Sequence, residues 1–181
     1  MPLFIEGKNL DFQNDTAVNM DSRGGFGIGF GYNFDAHMEL SCIFSATSSS
    51  YVATRKDSNG STSRASSNLY TSTIATEATY NFLEDEFTPY VSLNLGFTYI
   101  DTGISVDERP GMCYWDPWFG YVCYDNTYTA TKLNYGGTLG LRYDFANVLF
   151  IKGGVSLQYL DINSKTSPYF TTYVFSIGAR F

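Results

Sequence analysis

Three groups of residues in this sequence have types and spacings that could support chemistry. The first is His37, the only histidine. Hydrolysis of the Ser-His-Asp kind needs a histidine beside a serine held on a sharp strand-to-helix turn, and no such pattern occurs. His37 therefore reads as a surface residue beside a turn. No His or Cys spacing suits zinc, and the glycine run GFGIGFG at 25–31 is followed by no helix pattern, so it is not a phosphate loop. No catalytic residue, metal or cofactor is expected. The second group is a set of charges at alternating positions among small polar residues: Glu6, Lys8, Glu39, Glu77, Arg142, Asp144, Lys152 and Arg180. Their chemistry would be ion pairing. The third group is Cys113 and Cys123 with Tyr114, Trp115, Trp118, Phe119, Tyr121 and Tyr124 between or beside them. A disulfide is expected there in an oxidising compartment, and it would stabilise by about 2–3 kcal/mol. Cys42 lies in an apolar row, where a lone cysteine acts as a small hydrophobe.

The elements that must carry these residues are strands. Fifteen Tyr, fifteen Phe and only five Pro suit pleated sheet. Strict alternation recurs along the chain. Phe26, Ile28, Phe30, Tyr32 and Phe34 alternate with Gly25, Gly27, Gly29 and Gly31, and Met38, Leu40, Cys42 and Phe44 with Glu39, Ser41 and Ser45. Similar patterns run through Tyr70–Phe82, Val91–Tyr99, Leu133–Phe145, Leu149–Tyr159 and Tyr169–Phe181. A first strand near Leu3–Phe12 places Leu3, Ile5 and Gly7 opposite Phe4, Glu6 and Lys8, but its pattern breaks at Leu10 and Phe12, consistent with a bulge. The count is eight. Short turns are expected at Asp35–Ala36, Glu84–Glu86 and Ala146–Asn147, and long polar loops at Asn14–Ser22, Tyr51–Ser67, Asp101–Tyr128 and Asn163–Pro168. The serine-rich second loop is expected to be mobile surface.

Which face carries the charges decides the class. Glycine, serine, threonine and paired charges fit inside a narrow eight-stranded barrel, whereas rows of Phe, Tyr, Leu and Ile do not and must face outward. Lipid tolerates such rows, and barrel closure pairs every backbone polar group, as a hydrocarbon core demands. The expected fold is all-β: one eight-stranded antiparallel up-and-down transmembrane barrel filling 1–181. Its short turns and both termini would be periplasmic and its long loops extracellular. No run approaches the roughly 18 apolar residues of a membrane helix. The net charge of −7, with 11 Lys and Arg in all, disfavours nucleic acid as a partner. No charged region followed by an apolar run opens the sequence, so any export signal is expected to have been removed.

The segments GFGIGFGYNFDAHMELS, ATEATYNFLEDEFTPYVSLNLGFTY, YGGTLGLRYDF and YVFSIGARF, in that order, resemble the small outer-membrane barrels of the OmpA-like and OmpW-like porin superfamily. The terminal Phe181, with Tyr173, Phe175 and Ile177 before it at alternating positions, resembles the signal read by the barrel assembly machinery. The resemblance implies a bacterial outer-membrane protein surrounded by lipid and lipopolysaccharide. Its OmpW-like branch is associated with a narrow passage for small hydrophobic molecules, though no lining set is matched here. Cell-wall anchoring is not expected, because the sequence runs out at the last strand. Two roles stay open: a non-enzymatic porin-like barrel for envelope integrity or passage of small molecules, and a surface protein that binds through its aromatic loop. The inward charges would be a permanent plug or a rearranging gate, and the aromatic loop a contact surface or a self-packed cap.

Overall fold

The computed structural model describes residues 1–12, 16–56, 61–105, 112–116, 120–124, 127–145, 148–162 and 168–179, with backbone alone for Lys56, Ser105, 112–116 and 120–124. The strands are β1 (Pro2–Ile5), β2 (Lys8–Asp11), β3 (Thr16–Met20), β4 (Arg23–Asn33), β5 (Met38–Lys56), β6 (Thr62–Asn81), β7 (Phe87–Ser105), β8 (Met112–Asp116), β9 (Gly120–Tyr124), β10 (Thr127–Phe145), β11 (Leu149–Leu160) and β12 (Tyr169–Ala179). All the pairings are antiparallel. The ring runs β1-β4-β5-β6-β7-β10-β11-β12 and closes where β12 pairs with β1. It is an eight-stranded barrel. The β2–β3 hairpin extends the first two wall strands and docks on the upper half of β5, while β8 and β9 form a separate two-stranded sheet.

The register fixes the bore. Paired residues can be followed round the ring from Arg23 through Ile5, Thr172, Ser156, Thr138, Ser92, Thr79 and Glu39. The path returns to β4 at Asn33, ten residues beyond Arg23. Eight strands with that stagger tilt by roughly 40° and leave a radius of about 8 Å, just wide enough for side chains to fill. Arg23, Ile5 and the Ser and Thr of this row are buried.

Outside, the pattern is that of a protein in lipid. Phe26, Ile28, Phe30, Leu93, Leu95, Leu139, Leu157 and Ile177 are all exposed. A continuous belt of this kind far exceeds the apolar patches that soluble monomers show. At the turn end, Tyr32 and Phe34, Tyr80 and Phe82, and Tyr143 and Phe145 pack edge to face at 5.3, 5.4 and 4.5 Å. Their amphipathic rings suit an interfacial girdle.

Two expectations need correction. The first strand is out of phase with its predicted faces: Leu3 and Ile5 point into the lumen and Glu6 is exposed. Gly7 breaks the ladder between β1 and β2, with Ser22 Oγ accepting its N–H at 3.1 Å. A β-carbon at Gly7 would stand 2.7 Å from the backbone of Met20 and Ser22. The matching break at Asp21 and Ser22 separates β3 from β4. These breaks reset the alternation, so that Leu10 and Met20 turn inward with Ile5, Tyr51 and Phe170 to form an apolar cluster at the loop end.

The second correction concerns the long loops. Thr16–Met20 is strand, and β5 and β6 pair without interruption from Met38–Tyr80 to Lys56–Thr62. β7 likewise runs to Ser105, and β8 and β9 are ordered as a hairpin. Nineteen rungs at this tilt span about 45–50 Å, well beyond the roughly 25 Å apolar band of such barrels. The excess stands in water, where both faces can be polar, so the Ser and Thr of 47–54 and 61–68 showed no alternation to reveal them as strand. Ala146, Asn147 and most of Asn163–Pro168 lie outside the described residues.

Candidate functional site

The turn end of the lumen holds a charge cluster built from three strands. Glu39 is the second residue of β5 and turns inward, because Met38 and Leu40 take the lipid face. Arg142 on β10 and Lys152 on β11 are register partners. Lys152 Nζ donates to both Glu39 carboxylate oxygens at 2.8 Å, and Arg142 Nη1 donates to Glu39 Oε2 at 2.9 Å. Arg142 Nε reaches Asp144 at 3.0 and 3.1 Å. The Arg142 side chain is 0% exposed. Two cations thus meet two carboxylates, and the cluster is formally neutral.

Aromatic rings wall it in. Phe150 lies 4.6 Å from the Arg142 guanidinium and 5.3 Å from Lys152 Nζ, which also stands 5.7 Å from the Tyr90 ring. Cation–π attraction adds to the ion pairs in this desolvated setting. The glycines opposite make room for the rings. A β-carbon at Gly140 would come within 2.6 Å of Tyr90, and one at Gly178 would collide with Phe150.

The remaining predicted charges are distributed differently. Glu77 faces the lumen without an ion pair among the described residues, and Thr79 Oγ1 donates to it at 3.4 Å. Glu6 is outside the network, on the outer surface, where Tyr173 OH donates to it at 2.7 Å. Lys8 belongs to the loop end, donating to the Tyr169 carbonyl and lying over the Phe170 ring. Arg180 is outside the described residues, as is Phe181. Tyr173, Phe175 and Ile177 of the expected assembly signal are exposed on the outer face of β12.

Cys113 and Cys123 are directly opposite in the β8–β9 register. The side chains of Cys113, Tyr114, Trp115, Tyr121, Cys123 and Tyr124, and all of Trp118 and Phe119, lie outside the described residues. Cys42 is free and exposed on the outer wall. His37 sits at the turn end with Nδ1 2.8 Å from the Asn81 carbonyl, Nε2 3.2 Å from Glu84 and its ring stacked on Tyr80. These contacts tie one turn to the next. Among the described residues no three His, Cys, Asp or Glu side chains gather as metal donors.

Reasoning from sequence missed Arg23, Tyr90 and Phe150, although parity could have found them. Arg23 is in phase with Gly25 and Gly27, Tyr90 with Ser92 and Asn94, and Phe150 with Lys152. Each was passed over because it stands at a strand end, or because a bulky or charged residue was not sought on a face of small ones.

Among the described residues the arrangement offers ion pairs and a bore lined by packed side chains. No curated protein and no solved structure matches the chain. A family model described as "Outer membrane protein beta-barrel domain" matches residues 5–181, nearly the whole closed sheet with its lipid-facing belt, and the chain belongs to that family.

Proposed function

We propose that this protein is a non-enzymatic, porin-like barrel of the OmpA-like and OmpW-like kind whose lumen is plugged at rest. It serves envelope integrity rather than open diffusion. The observation that carries this reading is the fully buried Arg142 held by Glu39 and Asp144, with Lys152 on the same Glu39 carboxylate. A bore of about 8 Å radius filled by these side chains leaves no wide aqueous path. Passage of small molecules would require the pairs to rearrange, and a buried pair parted from its partner is costly. In this reading the turns and termini are periplasmic and the long strand extensions stand among lipopolysaccharide. The barrel assembly machinery reads the last strand.

A second reading rests on the β8–β9 hairpin. Cysteines at opposed positions would lock an aromatic-rich segment into a defined shape, which suits contact with an extracellular ligand or protein. The experiment is single-channel recording on the refolded protein in a planar bilayer, after a heat-dependent gel shift has established that the barrel has formed. A folded, silent wild type is expected. Reproducible openings at rest would overturn the plug, and loop-dependent binding by a silent barrel would bring the second reading forward.

A further inference from the structure

Between the charge cluster and the apolar cluster the lumen widens into a chamber with a cavity volume of about 100 Å³. That is room for several waters or one small solute, and far too little for a lipid chain. Arg23 lines this chamber from the start of β4. The residue is buried, at 8% exposure, yet its Nε and Nη1 have no hydrogen-bond partner. Arg142 and Lys152 each meet a carboxylate, whereas no carboxylate among the described residues pairs with Arg23. A guanidinium keeps its charge, and a desolvated charge demands a counter-ion.

The neighbouring wall has a mixed character. Thr172 lies two strands away on the same rung, through Ile5, and its buried hydroxyl also lacks a partner. Leu3, Ile5 and Val174 present aliphatic surface to the same space. The Arg23 fork is shaped to hold two oxygens side by side, as a carboxylate or phosphate offers them. The aliphatic wall favours a carboxylate with a short apolar end over inorganic phosphate, which has none.

We propose that the chamber is a binding site for a small aliphatic carboxylate, held by the Arg23 guanidinium and the Thr172 hydroxyl with its apolar end against Leu3, Ile5 and Val174. The site is independent of whether the lumen conducts.

The test loads the site during folding. The full chain is refolded into detergent micelles at constant ionic strength while chloride is replaced stepwise by acetate, or in a parallel series by inorganic phosphate, and the urea unfolding midpoint is measured. A saturable rise in midpoint with acetate is expected, with a smaller rise or none in phosphate, and Arg23→Met should abolish the acetate response. Should Arg23→Met fail to fold, Thr172→Val replaces it, and a weakened acetate response with intact folding is the expected result. Line broadening of ¹³C-acetate by the wild-type barrel, reversed by unlabelled propionate, is the second readout. Equal midpoints in acetate and chloride, with no broadening, would overturn the proposal. So would a phosphate response larger than the acetate one, or an acetate response that survives in Arg23→Met.

Discussion

Glu39 joins the two buried cations of the charge cluster, since Arg142 and Lys152 both close on its carboxylate. Neutralising it leaves Arg142 with Asp144 as its one ion-pair partner and Lys152 without an ion pair among the described residues. Glu39→Gln is expected to destabilise the barrel by roughly 3–5 kcal/mol, the range for a buried pair that loses one member. Lys152→Gln in the Glu39→Gln background should cost much less than it does alone, giving a coupling of about 1–3 kcal/mol in a double-mutant cycle. Urea unfolding in vesicles measures it, and additive effects would show that the cluster is not a unit. Parity made Glu39, Glu77, Arg142 and Lys152 legible in the sequence, because each alternates with Gly, Ser or Thr in a strand whose other face is apolar. Glu6 was misplaced for a physical reason: Gly7 interrupts the ladder, so parity counted from the wrong side of the break gives the wrong face. Arg23 escaped because Asp21 and Ser22 before it have turn character.

At the scale of elements, one side chain braces the hairpin between β4 and β5 from within the turn. Asp35 Oδ1 accepts the backbone N–H groups of His37 and Met38 at 2.8 and 2.7 Å. These bonds favour the ionised carboxyl and hold its pKa below the ordinary 3.8. Asp35 therefore contributes stability that is fully present above about pH 4 and is lost as pH falls through its lowered value in the fold. Asp35→Asn can keep the hydrogen bonds but not the charge, so its stability should lack this acid-dependent component. Unfolding midpoints of both proteins between pH 6 and pH 2.5 decide it, and parallel curves would exclude the effect. The β8–β9 hairpin makes a second prediction. Directly opposed residues of an antiparallel pair stand about 4.5–5.5 Å apart at Cα, within disulfide reach. Protein folded under oxidising conditions and then unfolded without reductant should expose one reactive thiol per chain, that of Cys42; three thiols would mean that Cys113 and Cys123 are unbonded. Strand existence was legible wherever one face met lipid, and the extensions beyond the lipid were not, because Ser and Thr with water on both sides carry no alternation.

For the whole molecule, the proposed plug has two parts, one toward each end of the bore. The Glu39 cluster fills the turn end, and Leu10, Met20, Tyr51 and Phe170 fill the loop end, with Tyr51 OH donating across to the Thr102 carbonyl at 2.9 Å. The two closures differ in kind. One is held by desolvated ion pairs, which depend on charge, and the other by apolar packing, which does not respond to charge. They also lie in series along one axis, with the Arg23 chamber between them, so an ion must pass both to cross. Opening either alone leaves the other as the barrier. Leu10→Ala with Met20→Ala removes apolar volume at the loop end at a cost of about 2–5 kcal/mol per site, and Glu39→Ala dismantles the ion pairs at the turn end. Each alteration should fold and remain electrically silent, while the combined protein should conduct, with unitary steps smaller than those of wide porins because the Ser and Thr walls still narrow the bore. A planar bilayer recording of the three proteins, each first checked for the heat-dependent gel shift, tests the arrangement. Conductance in Glu39→Ala alone would mean that the apolar end leaks and the charge cluster is the sole closure, whereas silence in the folded combination would place a third constriction within the chamber itself.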